Sequence, residues 1–314
     1  MNYHPKITQA GVDMIQISKI QYGGWPNCYK ISNDHLDLIV TTDVGPRIIF
    51  FGFKNGENQF YVKTDEAGLT GGSEWHIFGG HRLWHAPEVA ERTYAPDNHK
   101  VQVEQIIDGL RLTSQTEPCG IQKAIEIHLS ETKSSVKVKH ILINNGVWTV
   151  PLAAWALSVM RAGGVAIVPH AERIEFPQQL TPTHSITLWG YTRMSDSRWT
   201  WGERYIFLRQ DETSTKPQKL GILNTHGWAG YLRDGNLFVK KFDYTPSAKY
   251  SDINCNFETF TNDEMLELES LGPLQQLEPR KKVQHWEEWS LFSGVKTPST
   301  DDEVDEYILP LLGN

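Results

Sequence analysis

The stretch Gly79-Gly80-His81-Arg82-Leu83-Trp84-His85-Ala86-Pro87-Glu88 gathers two imidazoles, a guanidinium, an indole and a carboxylate behind a glycine pair. An imidazole, with an ordinary pKa of about 6.5, can give or take a proton near neutrality. If the segment is extended, His81, Leu83 and His85 point to one side and Arg82 and Trp84 to the other. Each of these polar groups needs a partner in the protein or in a ligand, because an unpaired buried donor costs about 1–3 kcal/mol. A surface strand end with solvated charges and one packed Trp would carry the same residue types.

A second set lies in Met265-Leu266-Glu267-Leu268-Glu269-Ser270. Alternation puts Glu267 and Glu269 on one face, about 7 Å apart by the strand rise. In the open that is a solvated face. In a sheltered hollow lined by aromatics, the carboxylate pKa rises towards neutrality and general-base work becomes feasible. Glu258, in the preceding NFETF strand, offers a third carboxylate. Arg47, which opens a β-rich run after Asp43-Val44-Gly45-Pro46, is either a solvated strand-end charge or a ligand contact. His81, His85 and Glu88 bring nitrogen and oxygen donors at short spacing, and a further carboxylate would complete an open zinc site. That His spacing suits a helix, however, for which Gly79-Gly80 and Pro87 leave little room, so no metal is assigned and no cofactor is expected.

Short alternating runs punctuated by turns must position these groups. Val101–Glu104, Gly109–Gln115, Gln122–Ser130 and Val136–Asn144 read as a meander, with turns at Asp108-Gly109, Pro118-Cys119-Gly120 and Asn144-Asn145-Gly146. His128 and His140 sit in this pattern as strand histidines. A hairpin is expected at Asp234-Gly235-Asn236 and a tight turn at Asn55-Gly56. The region Leu188 to Leu208, LWGYTRMSDSRWTWGERYIFL, with Trp199, Trp201, Arg198 and Arg204, is either a small satellite core with stacked cations or part of a recognition surface. Helical periodicity is confined to the acidic tail, Asp301 to Leu312. The expected fold class is all-β, a large antiparallel sandwich or barrel. With no linker or repeat in sight, residues 1–314 read as a single domain.

Composition narrows the partners. The 314 residues carry a net charge of −8 with Lys and Arg scattered singly, which argues against nucleic acid as a partner. No apolar run of membrane-spanning length occurs, and MNYHPKITQAGVD has neither a basic nor an apolar leader segment, so a soluble, cytoplasmic protein with no membrane partner is expected. Cys28, Cys119 and Cys255 lie too far apart for a disulfide framework or zinc knuckle and read as reduced, partly buried residues. Eleven Trp supply flat apolar faces suited to a core or to stacking under a sugar ring.

Four landmarks together, VGPRIIFFG, FGGHRLWHAPE, VPLAAWALSVMRAGG and LELESLGPLQQLEPRKKVQHWEEWSLF, resemble the galactose mutarotase-like β-sandwich superfamily, which includes aldose 1-epimerases. The resemblance implies an antiparallel supersandwich whose concave face holds a small-molecule sugar. In the epimerases a late-strand glutamate takes the C1 hydroxyl proton and a histidine protonates the ring oxygen. Motif matching puts Glu269 at the glutamate position, with Glu267 two residues away as the fallback. The family's two histidine positions fall on Phe78 and Leu157, so either His81 or His85 would act as the acid, or the ring-opening chemistry is absent. Two readings therefore stand. One is an aldose-1-epimerase-like isomerase with Glu269 as base, His81 or His85 as acid, Arg47 and Arg82 orienting the substrate, Glu258 and Glu267 alongside, and Trp84 as stacking platform. The other is a non-catalytic carbohydrate-binding protein that keeps the same site.

Overall fold

A computed structural model describes residues 15–313; the N-terminal stretch read above for a leader segment lies outside them. Among the described residues the fold is built from two large antiparallel sheets, as the alternating runs predict. The first sheet runs, in spatial order, Gln16–Tyr22, Trp25–Ser32, Leu36–Thr41, Arg47–Phe53, His81–Ala86, Val150–Arg161, Met265–Leu271, Phe257–Thr261, Gln218–Ile222 and Ile186–Leu188, with Gln275–Leu277 paired to the central Val150–Arg161. The second carries the predicted meander, observed at Gln102–Ile106, Gly109–Thr116, Ile121–Leu129 and Ser135–Asn144, and continues into Lys282–Phe292.

Lys282–Phe292 shows why these segments are strands: alternate residues are buried, so one face meets the core and the other meets solvent. Met265–Leu271 is buried on both faces. Its inner face joins the sandwich core and its outer face is roofed by loops. Phe51 and Phe60 each meet Phe238 and Trp289 edge-on between the sheets, as Phe238 meets Trp289, with centroids 5.5–6.0 Å apart. Burial of each such side chain is worth roughly 1.5–3 kcal/mol. The acidic tail forms the helix Asp301–Tyr307, capped by Thr300 Oγ1 accepting from the Glu303 amide at 3.3 Å, with Val304 and Ile308 packed on the second sheet. No helix among the described residues is long and apolar enough to cross a membrane.

Both expected turns form with a positive φ, at Asn55 (57°) and at Asp234 and Gly235 (51° and 75°). The glycine pair has a steric origin. Gly79 and Gly80 take φ of 90° and 73°, and a Cβ would strike the Tyr61 carbonyl at the first and the Ile48 carbonyl at the second.

Candidate functional site

Strand register builds one transverse row across the outer face of the first sheet: Arg47, Arg82, Leu157, Glu269, Glu258 and Gly221 are successive cross-strand partners. Flanking rows on that face are Trp84, Trp155 and Leu271, and Val159, Glu267, Phe260 and Lys219. Above them lies a hollow of about 470 Å³ whose aromatic lining includes Trp75, Trp84, Tyr94, Trp155, Trp189 and Tyr191. Arg82, Leu157, Lys219, Glu267 and Glu88 also border it.

Arg82 is the central polar group. Its guanidinium lies over the Trp84 ring at 4.5 Å, and Nη2 donates to Glu267 Oε1 at 3.0 Å. Nε and Nη1 are buried with no hydrogen-bond partner. Unpaired buried donors of this kind are destabilising unless a guest supplies acceptors. Trp84 is accordingly a wall rather than the open platform expected, since Arg82 covers one face and Tyr94, Trp155 and Trp75 crowd it at 5.1, 5.3 and 5.7 Å.

Lys219 organises the other side. Its ammonium stands 2.8 Å from Glu258 Oε2, out of hydrogen-bond alignment, and donates to Glu269 Oε2 at 3.0 Å. It also lies 4.8 and 4.7 Å from the Trp155 and Trp189 ring centroids. Burial works against the charged lysine, but Glu269 and Glu258 outweigh it and hold its pKa well above the ordinary value. Burial raises the pKa of Glu258 to about 8, with Lys219 opposing, and raises that of Glu269 for the same reason. Trp155 Nε1 donates to Glu269 Oε2 at 2.9 Å. Glu269 is fully buried and, like Glu258, is not part of the hollow's lining. The Lys219 and Trp155 side chains that bind Glu269 do border the hollow, so the carboxylate sits behind them.

The structure separates the expected acid from the expected base. His81 and His85 point into the sandwich, away from Glu269, because their parity on the strand is opposite to that of Arg82 and Trp84. His81 belongs to a buried polar network between the sheets, with Nδ1 2.9 Å from Ser158 Oγ and Nε2 2.7 Å from His140 Nε2. The network also holds His285, 2.6 Å from Ser270 Oγ, and the Lys240–Glu287 ion pair at 2.8 Å. Burial, then His140 and Lys240, push the His81 pKa well below its ordinary value, and burial lowers that of His85. Neither imidazole can reach a guest on the outer face. Arg47 is corrected as well. It is wholly buried, donating to the carbonyls of Ile77 and Gly79 at 2.8 and 2.6 Å and pairing with Asp97 at 2.8 Å, so it braces the Phe78–Gly80 loop. His81, His85 and Glu88 do not form a metal set. The two imidazoles are about 13 Å apart along the strand, and Glu88 accepts from Tyr94 Oη at 2.5 Å on the opposite, hollow side.

Of the residues expected to contact a guest, Arg82, Trp84 and Glu267 line the hollow, while Glu258 lies behind Lys219. Lys219, Trp75, Tyr94, Trp155, Trp189 and Tyr191 were not singled out from sequence. In the aromatic region that begins at Leu188, Trp189 and Tyr191 line the hollow, whereas Trp199 and Trp201 stack on each other at 5.3 Å and join the main core between the sheets instead of a satellite one.

Two antiparallel sheets with a hollow on the outer face of the first define the galactose mutarotase-like β-sandwich fold, as the sequence landmarks implied. Solved structures place the chain in that fold. It is similar to a Synechocystis protein (12% identity, TM-score 0.55, covering 88% of this chain and 99% of that one). It is also similar to a galactose mutarotase-like protein from Clostridium acetobutylicum (10% identity, TM-score 0.54, 90% and 99% covered). A third is a galactose mutarotase-like protein from Lactobacillus casei (10% identity, TM-score 0.53, 85% and 100% covered). No family model matches the chain, and no curated protein matches it in sequence.

Proposed function

We propose that this protein binds a saccharide in the hollow of the first sheet and does not open its ring. The observation that carries the reading is Arg82, a guanidinium seated on Trp84 in an aromatic hollow with two buried donors unpaired. Apolar walls with a few converging polar groups are what a polyhydroxylated ring needs, and about 470 Å³ falls within the usual range for small-ligand sites. The apolar faces of the sugar meet indole and phenol rings, and a hydroxyl or carboxylate oxygen accepts from Arg82. The galactose mutarotase-like fold supports a sugar as the guest.

Ring opening needs a base at the C1 hydroxyl and an acid at the ring oxygen. Glu269 is held by Lys219 and Trp155 beneath the lining, Leu157 occupies the floor beside Arg82, and both candidate imidazoles face the other way. The binding reading therefore accounts for more of the arrangement than the isomerase reading. Thermal unfolding against a panel of hexoses, hexosamines, uronic acids and sugar phosphates tests it. A guest at a hundred times its Kd adds about 2.7 kcal/mol, and at least one member should raise the melting temperature by several degrees. A flat response across the panel would remove the reading.

A further inference from the structure

A second cluster, at the rim between the sheets and on the face of the His81–Ala86 strand opposite to the hollow, remains unused by the sugar reading. His85 is fully buried, yet neither ring nitrogen makes a hydrogen bond. An imidazole stripped of water with both nitrogens unpaired calls for a partner. What faces it is Glu117, whose Oε2 lies 3.5 Å from His85 Nε2, and beyond it Cys119, whose Sγ lies 3.5 Å from the same oxygen. The three ligand atoms lie within 4.8 Å of one another. Lys123 takes the other carboxylate oxygen, Oε1, at 2.5 Å.

We propose that His85, Glu117 and Cys119 form a binding site for a divalent transition-metal ion of the zinc type. The edges of the cluster are the argument. A tetrahedral ion holding N and O at about 2.0–2.1 Å and S at about 2.3 Å sets N···O near 3.4 Å and O···S near 3.5 Å. The observed N···O and O···S separations, 3.5 Å each, fit two edges of such a tetrahedron, with the thiol donating to Glu117 Oε2 until an ion displaces its proton. The donor set of one imidazole, one carboxylate and one thiolate suits a borderline ion. Cys119, on the exposed Pro118-Cys119-Gly120 turn, gives the ion a way in. Binding forms the metal–sulfur bond and releases the thiol proton to solvent. Glu117 also borders a cleft of about 420 Å³, which brings solvent to one side of the cluster.

Cobalt(II) is the probe, titrated into the full chain under reducing conditions. One ion per chain is expected, with a thiolate-to-cobalt charge-transfer band and the visible absorption of a four-coordinate site. Cys119→Ser, a change on an exposed turn, should abolish the charge-transfer band and weaken binding at least tenfold, since loss of even an outer partner of a ligand costs about 10–100-fold. Zinc should slow alkylation of Cys119 by iodoacetamide at least tenfold, with Cys28 and Cys255 buried and silent. A cobalt spectrum without the thiolate band, a band that persists in Cys119→Ser, or alkylation indifferent to zinc would overturn the assignment.

Discussion

Replacing Lys219 by Met tests the electrostatics beneath the hollow. The ammonium lies between Glu258 and Glu269 at 2.8 and 3.0 Å, and all three groups are buried or nearly so. Methionine keeps most of the volume and removes the charge, leaving two buried carboxyls without the cation between them. Breaking one side of a buried ion pair costs about 3–5 kcal/mol. At about 2.1 cal/mol/K per residue, 314 residues unfold with an entropy of about 0.66 kcal/mol/K, so the melting temperature should fall by about 5–8 °C near pH 8. The pH dependence fixes the cause. A carboxyl raised to about 8 in the folded state keeps a proton that the unfolded chain has lost, so its burden on stability starts above the unfolded pKa of about 4.3 and grows until pH passes 8. At pH 5 both carboxyls can be protonated and the missing cation matters less. Calorimetry of the wild type and Lys219→Met at pH 5 and pH 8 should therefore show the larger deficit at pH 8. Equal deficits at both pH values, or none, would refute the reasoning.

Lys240→Met should cost about 3–5 kcal/mol in urea unfolding, because it strands buried Glu287, and adding Glu287→Leu should recover much of that loss. His140 and His285, whose pKa values burial depresses to about 3, must be neutral in the folded state, while the unfolded chain protonates below about 6.5. The pair should thus lose about 4 kcal/mol of stability between pH 7 and pH 5, with His81 adding to the fall and protonation of Glu258 returning about 2.5 kcal/mol; urea titrations at the two pH values should find a net loss at pH 5. Arg82→Lys keeps a charge but loses the planar fork on Trp84, and calorimetric titration should find the sugar bound about tenfold more weakly, near 1.4 kcal/mol, with the fold intact.

The β-architecture was legible because period-two alternation is a local signal. The meander expected at Val101–Glu104, Gly109–Gln115, Gln122–Ser130 and Val136–Asn144 formed within two residues of those bounds, and the acidic tail formed the helix expected there. The site was half legible. Alternation placed Arg82 and Trp84 on one face and His81 and His85 on the other, and the structure agrees. What a single strand could not reveal is which face looks into the hollow, because that depends on pairing with Val150–Arg161 and Met265–Leu271, far away in sequence. Parity alone nonetheless barred His81 and Arg82 from sharing one guest. Lys219 left a trace too, as a lone cation in the otherwise apolar strand run KLGIL. Arg47 could not be read, since its partners are carbonyls of a loop thirty residues on, whose path a strand pattern does not encode.

The most direct test of the central claim is proton NMR of a hexose mixed with the protein, observing saturation transfer and exchange between the α and β anomers in one sample. The expected result is saturation transferred to the sugar ring, weakened in Arg82→Lys, with anomer exchange no faster than in buffer. Anomers that exchange faster in the presence of the protein, or sugars that receive no saturation at all, would contradict it.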